Sequence, residues 1–447
     1  MNGCFHQYFR CPDRYVRLGL IGELPQGKGY FRFGENVVHG SCAGCQPAPR
    51  STDSLCDSAG SVRFEGGATL LPFDLTQVVD GLRRELYVEG RDIGGMESAI
   101  TNLYYLIRPI LPVGVRKHLQ KLRLRDWDKI TFPQWPVDRT VDGVLEEVLL
   151  LSLRAQNVEQ IPFIWFWPEG SSSCALVTHD VETELGTTLC PMLMDVNDSF
   201  GIKASFQVIP EERYHVTEDF LHSIWRRGFE VVVHDLNHDG RLFRDRARFV
   251  ERAAKINAYG RQFGAAGFRA GVLYRNQQWY DALDFEYDMS VPNVAHLDPQ
   301  RGGCCTVMPY FIGHVLELPV TMTQDYTLFN ILNDYSTALW ERQIELIMEK
   351  HGLMSVVIHP DYMVGARERS VYEALLAHLV NLRENKNVWI TTPGEVNRWW
   401  RQRAGMTIVE EGGHLRIEGA GHERACIAYA RETDGRLAID FQGARVS

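Results

Sequence analysis

Short apolar runs that alternate with amphipathic stretches organise the chain between about residues 171 and 403. The apolar runs predict strands at 175–177, 204–209, 230–233, 266–269, 287–291, 315–319, 354–358 and 388–391. The stretches between them predict helices at 189–199, 218–227, 243–263, 277–283, 339–351, 370–384 and 393–403. Repeated strand–helix units indicate a parallel sheet with helices outside it. No G-x-G-x-x-G follows the first strand, so a distorted (β/α) barrel of seven or eight strands is favoured over a dinucleotide-binding fold.

Different patterns flank this segment and predict three domains, 1–170, 171–403 and 404–447. Residues 1–170 read as a mixed α/β, mostly helical extension, with helices predicted from Asp74 and at 96–111, 113–124 and 141–155. After residue 405 the apolar period drops to two, which predicts a small antiparallel β appendage. Such an appendage either covers an edge of the main domain or contacts a glycan.

Composition narrows the classes of partner. Of the 447 residues, 45% are hydrophobic and 23% charged, which is typical of globular proteins. A formal net charge of −10 argues against nucleic acid as a partner, because nucleic acid attracts positive surfaces. No apolar run approaches the roughly 18 residues that span a bilayer, and no secretory signal is recognised at the start. We therefore expect no integral membrane segment and a cytoplasmic location, and the oligomeric state stays open.

Ten cysteines are present, and five of them lie in the first 56 residues. In a cytosolic chain we expect reduced thiols rather than a disulfide framework. Cys42, Cys45 and Cys56 can offer three thiolates to zinc, although no second C-x-x-C completes the structural-zinc pattern. Incidental thiols and a metal or redox role both stay open for this cluster.

Ionisable residues follow three of the predicted strands directly. The first strand runs into Asp180 and Glu182, whose spacing of two in an extended segment points both carboxylates to one side. Of two such carboxylates, one can bind a metal and the other can serve as a base, but a helix-capping Asp beside a surface Glu is the alternative. His179 should point the other way and pack in the core.

Histidines follow the other two strands. His234 and His238 are four residues apart, a spacing that places both rings on one side of a helical turn, where they can share a cation such as zinc. His359, followed by Pro360, can protonate a leaving group or be a satisfied core histidine. Arg269 ends the fourth strand and can orient a carboxylate.

Further candidates are weaker. Asn237 and Asp239 can support the histidines, and Asp288, Asp325 and Trp279 are looser possibilities. Together, the residues at the strand ends have the composition of a site for metal-assisted hydrolysis of an acyl group.

The order of these motifs resembles that of the polysaccharide deacetylase (NodB-homology) family. The matching segments lie between about residues 171 and 403 and are Thr178–Glu182, Gly228–His238, Phe268–Arg269 and Val357–Pro360. The resemblance implies a distorted (β/α) barrel and a divalent metal, usually zinc. It also implies hydrolysis of N-acetyl groups, less often O-acetyl groups, on amino sugars, with a saccharide or another N-acylated compound as the substrate.

The resemblance also implies roles for individual residues. Asp180 would be the base, oriented by Arg269, and His359 the general acid, while His234 and His238 would be metal ligands. The family's first motif has two adjacent aspartates, but Val181 occupies the second position here. We assign the third metal ligand to Glu182, as in family variants that space their carboxylates by one residue. The Arg269 motif also lacks its usual proline, because Ala270-Gly271 follows.

Two other functions fit the same sequence. One is a metal-independent hydrolase of a cyclic amide or another small N-acyl compound on the same barrel, which metal analysis would distinguish. The other is a non-catalytic saccharide-binding protein with a degenerate site, a hypothesis motivated by Val181. Glycan binding without turnover would identify that case.

Overall fold

The structure, a computed structural model, describes residues 3–88 and 124–441. The helices predicted at 96–111 and 113–124 lie outside the described residues, apart from Leu124. The described strands are β1 Leu18–Leu20, β2 Gly29–Phe33, β3 Asn36–Gly40, β4 Arg63–Glu65, β5 Ala68–Leu71, β6 Gln160–Ile164, β7 Ser173–Val181, β8 Ser205–Val208, β9 Glu230–His234, β10 Gly267–Arg269, β11 Tyr287–Asp288, β12 Tyr310–Ile312, β13 Val315–Glu317, β14 Leu353–Ile358, β15 Val388–Thr391, β16 Thr407–Glu411, β17 His414–Glu418, β18 Ile427–Thr433 and β19 Arg436–Phe441.

Helices alternate with these strands through the second half of the chain. The described α-helices are α1 Gly3–Phe9, α2 Leu75–Arg83, α3 Thr140–Gln156, α4 Glu184–Ser199, α5 Glu218–Trp225, α6 Arg246–Gln262, α7 Ala338–Met348, α8 Ala366–Lys386 and α9 Pro393–Gly405. Single 3₁₀ turns at Gly271–Leu273 and Pro360–Tyr362 follow β10 and β14. Side-chain oxygens of Asp74, Thr183, Thr217 and Asp245 accept backbone N–H bonds and so cap the first turns of four helices.

The main sheet confirms the predicted α/β barrel class. Its strand order is β12-β13-β11-β10-β9-β8-β7-β14, with β15 also paired to β7. All neighbours are parallel except β12 and β13. The path ends at β12 and β14, which are not paired with each other in the described chain, so the sheet curls into an incomplete barrel. The eight predicted strands are all present, whereas the antiparallel β12 was not predicted.

Both faces of the main sheet are buried. Alternate residues of β7 enter two apolar clusters, so that Ala175 and Val177 pack with residues such as Leu193 of α4. Cys174 and Leu176 pack instead with residues of the first 170, including several from α3. Burial on both faces explains why these strands are continuous apolar runs rather than alternating ones.

The outer segments of the chain meet in one small sheet. β18 of the predicted appendage pairs antiparallel with β19 and with β6, which belongs to the predicted extension. The appendage therefore covers part of the extension, while the three-domain division stays a prediction. Within the described ranges, no helix is long and apolar enough to cross a membrane.

The expectation of reduced thiols throughout is wrong at one place. Cys45 and Cys56 form a disulfide with their Cα atoms 6.2 Å apart. Backbone hydrogen bonds of 2.7 Å between Tyr30 and Ala48 fold the loop back on β2, which brings the two thiols together. Sγ of the buried Cys42 lies 3.8 Å from Sγ of Cys45.

Candidate metal and catalytic site

Parallel pairing brings the predicted site residues to one edge of the sheet. Arg269 is in register with His234, and Ile358 is in register with His179, the neighbour of Asp180. Each of these strands ends within one or two residues of that point. The ionisable side chains that follow β7, β9, β10 and β14 therefore share one site, as expected for a parallel sheet.

Glu182 lies at the centre of the metal-ligating candidates. Its Oε1 is 2.9 Å from Nε2 of His238 and 3.8 Å from Nε2 of His234. Oδ2 of Asp180 is 3.7 Å from the same atom of His234. Ligand atoms of Glu182, His234 and His238 all lie within 4.8 Å of one another, and so do those of Asp180, Glu182 and His359.

The two histidines reach this position from a loop and not from the helical turn that their spacing predicted. His234 is the last residue of β9, and the chain then adopts positive φ at Asp235 (57°) and His238 (54°). Gly271 faces this loop, and a Cβ there would lie 2.5 Å from Asp235 Oδ2. The close approach of the Gly271 backbone thus excludes a larger residue, and the two bends turn both rings inward.

The ring atoms that face Glu182 have the chemistry of metal ligands. Nδ1 of His234 is 3.1 Å from the carbonyl oxygen of Arg269, which fixes the N–H on Nδ1 and leaves a lone pair on Nε2. Nε2 of both histidines is buried and has no hydrogen-bond partner among the described residues. The 2.9 Å contact of His238 with Glu182 lacks hydrogen-bond geometry. Two orphaned imidazole nitrogens beside a carboxylate fit a divalent cation such as zinc.

Arg213 supports the backbone of the second histidine. Its guanidinium donates to the carbonyl oxygens of His238 (2.6 Å) and Asn237 (3.2 Å). Nη2 also lies 3.5 Å from Nδ1 of His238. This arginine follows β8 in a loop, where no sequence motif distinguishes it.

Asp180 is held by a buried arginine. Nη1 of Arg269 donates to Oδ1 of Asp180 (2.6 Å) and to Oγ1 of Thr178 (2.8 Å), and Nε donates to the carbonyl of Met289 (3.0 Å). Burial alone would raise the pKa of Asp180, but the charges of Arg269 and nearby histidines outweigh it and lower that pKa. Asp180 is thus kept ionised, with Oδ2 free to face the site.

His359 is paired with a carboxylate from a neighbouring loop. Nδ1 of His359 donates to Oδ1 of Asp325 (2.6 Å), and the backbone N–H of His359 donates to Oδ2 (2.7 Å). Burial lowers the pKa of His359, but Asp325 and Glu182 outweigh it and raise that pKa well above the ordinary value. Nε2 is left 3.6 Å from Glu182 Oε1. The sequence offered Asp325 only as a loose candidate, because its partner is 34 residues away.

Some sequence candidates lie elsewhere. His179 packs against Asn197 and Tyr372, as predicted, and burial lowers its pKa to about 3. Asp239 forms an ion pair with Arg252. Asp288, the last residue of β11, accepts from the hydroxyl of Ser290. The Trp279 ring stacks on Phe243 and is tilted against Phe249.

The sequence did not identify two residues directly after the final histidine motif. The Tyr362 ring centroid is 5.2 Å from that of His359. Oδ1 of Asp361 is buried without a hydrogen-bond partner in the described chain, and burial raises the pKa of this carboxyl. Their position in the turn after Pro360 was the available signal.

Comparison with known proteins finds the likeness that the motifs indicate. No family model matches the sequence, and no curated protein matches it. Among solved structures, a Mycobacterium smegmatis protein assigned to the polysaccharide deacetylases matches over 53% of this chain and 93% of its own, at 18% identity and a TM-score of 0.45. Puue allantoinase matches over 53% and 92%, at 12% identity and a TM-score of 0.40. The peptidoglycan deacetylase PdaC of Bacillus subtilis matches over 53% and 95%, at 12% identity and a TM-score of 0.34.

These likenesses are distant. Identities of 18% or less and TM-scores of 0.45 or less do not decide the chemistry of the site.

Proposed function

We propose that this protein is a metal-dependent hydrolase that removes an acetyl group from the nitrogen, or from an oxygen, of an amino sugar or saccharide. The observation that carries the proposal is the convergence of ligand atoms from Glu182, His234 and His238 within 4.8 Å. Two further pairs of ionisable side chains border this cluster. The saccharide part of the proposal rests on the motif order.

Glu182, His234 and His238 would hold the metal, for which zinc is the proposed identity. Two imidazole nitrogens and one carboxylate form a common ligand set of catalytic zinc. Such sites leave a further coordination position of the ion open for water or substrate. When bound, the ion would polarise the acyl carbonyl and increase the acidity of water. Because Asp180 is engaged by Arg269 through Oδ1, Glu182 is the better placed third ligand.

Asp180 would act as the base. Its lowered pKa keeps it ionised, and Arg269 fixes its orientation from a fully buried position. Oδ2 faces the cluster and can accept a proton from the attacking water. Arg269 bonds to Asp180, whereas Glu182 lies closest to His238, so the two carboxylates can take separate roles.

His359 would act as the acid. Its raised pKa keeps it protonated near neutral pH, and its bond to Asp325 directs Nε2 toward the cluster. From there, Nε2–H can donate a proton to the departing amine. After one turnover Asp180 holds the proton taken from water and His359 lacks the proton given to the amine, so the transfer of one proton from Asp180 to His359 restores both groups.

Acetate release tests the proposal. Purified protein should release acetate from N-acetylglucosamine oligosaccharides, lose this activity after chelation and regain it with zinc. A His234→Ala variant should lose both bound metal and activity, whereas His222→Ala, at an exposed position of α5, should retain both. Loss of metal without loss of activity in His234→Ala would refute the proposal. Glycan binding without turnover would favour the degenerate, saccharide-binding alternative.

A metal-independent hydrolase of a cyclic amide or other N-acyl compound is the second candidate. The observation that favours it is the 3.5 Å approach of Arg213 Nη2 to Nδ1 of His238. A guanidinium is a donor only, so it favours the tautomer with the proton on Nε2, which cannot bind a metal. Full activity in chelator, with no metal found by elemental analysis, would support this candidate.

A further inference from the structure

A cavity lies between the N-terminal segment and the barrel. It has a volume of about 280 Å³ and is bordered by five separate stretches of the chain between residues 30 and 302. Its walls include Tyr30, Arg50, Tyr87, Phe132 and His296. We call this cavity the arginine–aromatic pocket. The volume is near the lower end of the roughly 300–1,000 Å³ typical of ligand pockets, so one sugar-sized ring fits better than a long chain.

The wall that carries Arg50 is held in place. The Cys45–Cys56 disulfide closes the loop, and Ala48 exchanges two 2.7 Å backbone hydrogen bonds with Tyr30. The hydroxyl of Ser51 lies 2.9 Å from that of Thr131, which ties the loop to the opposite wall. Arg50 is therefore presented to the pocket from a fixed loop.

Aromatic rings form the inner walls. The Phe132 ring lies 5.0 Å from that of Tyr87 and 5.7 Å from that of Tyr30, measured between centroids. The Tyr87 hydroxyl donates to the carbonyl of Gly303 (2.7 Å), so its ring orientation is fixed. Flat, immobilised rings of this kind pack against the apolar face of a sugar with little loss of side-chain entropy.

His296 adds a buried acceptor. It is 1% exposed, and its Nε2 donates to the carbonyl of Pro133 (2.8 Å). Burial lowers the pKa of His296 to about 4, so the ring is neutral and Nδ1 carries a lone pair. Within the described residues Nδ1 has no hydrogen-bond partner. A buried acceptor without a donor costs free energy that a ligand hydroxyl would recover.

The positive charge of the pocket lining indicates that the ligand carries an anionic group. The lining includes the guanidinium groups of Arg50 and Arg301, and none of the lining residues in the described ranges is acidic. Guanidinium groups bind phosphate and carboxylate through paired N–H donors. A ligand that uses every wall needs a ring, a hydroxyl and an anionic group.

We propose that the arginine–aromatic pocket is a binding site for an anionic saccharide, separate from the hydrolytic site. The sugar ring packs on the rings of Tyr87 and Phe132, a hydroxyl donates to Nδ1 of His296, and the anionic group accepts from Arg50. Phosphate and carboxylate share this chemistry, so the anion is either a sugar phosphate or a uronic acid.

Calorimetric titration of the whole 447-residue chain tests this site. Glucose 1-phosphate and glucuronate separate the two sources of anion, while glucose and inorganic phosphate test the ring and the charge alone. None of the four carries an acyl group, so binding is read out independently of hydrolysis. We expect at least one charged sugar to bind at least tenfold more tightly than glucose and than phosphate, since a charge-assisted hydrogen bond contributes about one tenfold step or more.

Variants assign the binding to this pocket. Arg50→Gln, at an exposed position, should weaken binding of the charged sugar about tenfold. Arg63→Gln, also at an exposed position on β4, should leave that binding unchanged. His296→Leu should weaken binding of both the charged and the neutral sugar, and thermal unfolding checks that this variant is folded. The proposal is overturned if neither charged sugar binds at millimolar concentration, if phosphate binds as tightly as the charged sugar, or if Arg50→Gln binds it unchanged. Binding of glucuronate or glucose 1-phosphate by a protein that releases no acetate from N-acetylglucosamine oligosaccharides would count against the hydrolase proposal and leave this one standing.

Discussion

Oε1 of Glu182 lies 2.9 Å from Nε2 of His238, although no hydrogen bond joins them. Val181, which occupies the position where the resemblance would place a metal ligand, is buried in the apolar cluster that contains Ala175 and Leu193. Extending the strand by one more residue returns the side chain to the site face, because side chains alternate along a strand. Glu182 therefore faces the two histidines, as its proposed role as a ligand requires, while Asp180 bonds to Arg269.

Replacing Glu182 should weaken metal binding. In Glu182→Gln the carboxylate that faces both histidines becomes a neutral amide, which binds zinc poorly. Loss of a residue that merely supports a metal ligand lowers metal affinity about 10–100-fold. Because Glu182 is proposed as a ligand itself, we expect zinc affinity to fall at least as much. Competition with a chromophoric chelator measures this affinity. Glu184→Gln, exposed in the first turn of α4, is the matched control and should bind zinc normally. Unchanged affinity in Glu182→Gln would remove Glu182 from the ligand set.

Replacing Arg269 should destabilise the protein and change its pH profile. Arg269→Gln leaves Asp180 buried without its charged partner, which typically costs about 3–5 kcal/mol. The lowered pKa of Asp180 should then rise, because burial is less opposed, and the acid limb of activity should move to higher pH. Urea unfolding and a pH–rate profile measure the two effects.

An exposed ion pair provides the comparison for Arg269. Arg261 pairs with Asp284, and both side chains are about two-thirds exposed. Arg261→Gln should lower the free energy of unfolding by less than about 1 kcal/mol and leave the pH profile of activity unchanged. Equal effects of the two substitutions would contradict a catalytic orientation role for Arg269.

Asp325 should set the alkaline limit of activity. His359 has a raised pKa and acts in its protonated form, so activity is present below that pKa and is lost as pH rises through it. In Asp325→Asn the largest favourable charge is removed, and the pKa of His359 should fall. We expect the alkaline limb of kcat/KM to move to lower pH, while activity at low pH is retained in part. An unmoved limb would show that another group sets it.

Much of the fold was predictable because the signals are local. The strands of the main sheet are buried on both faces, so they read as apolar runs, and each ends at Gly, Pro or a polar cluster that the sequence displays. β12 was not predicted, because its pairing with β13 is antiparallel and is surrounded by long loops. Likewise, the Cys45–Cys56 disulfide depends on a backbone contact with Tyr30 that no spacing reveals.

The site was predictable to the extent that its residues follow strands. Asp180, Glu182, His234 and His359 all do, and parallel pairing brings them together. Residues that reach the site from loops, such as Arg213, carried no comparable signal. The prediction that the two histidines share a helical turn was wrong. The positive φ at His238 is imposed by tertiary contacts and not by the local sequence.

The buried Arg403 should hold the N-terminal helix to the rest of the chain. From α9 it donates to the carbonyls of Tyr8 in α1 (2.7 Å), Ile164 in β6 (2.7 Å) and Trp165 (2.9 Å). Burial lowers its pKa to about 9, which still leaves it charged at neutral pH. Arg403→Met would leave three carbonyls without this donor, and each unsatisfied group costs about 1–3 kcal/mol.

We therefore expect Arg403→Met to lower the free energy of unfolding by at least about 3 kcal/mol in urea. Arg398→Met, on the same helix but 63% exposed and paired with the partly exposed Glu395, should lower the free energy of unfolding by less than about 1 kcal/mol. If residues 1–170 folded independently of the barrel, the Arg403 variant would show two separate transitions with the barrel transition unchanged. A single transition shifted as a whole is expected instead, because Arg403 links α1, β6 and α9 within one apolar cluster.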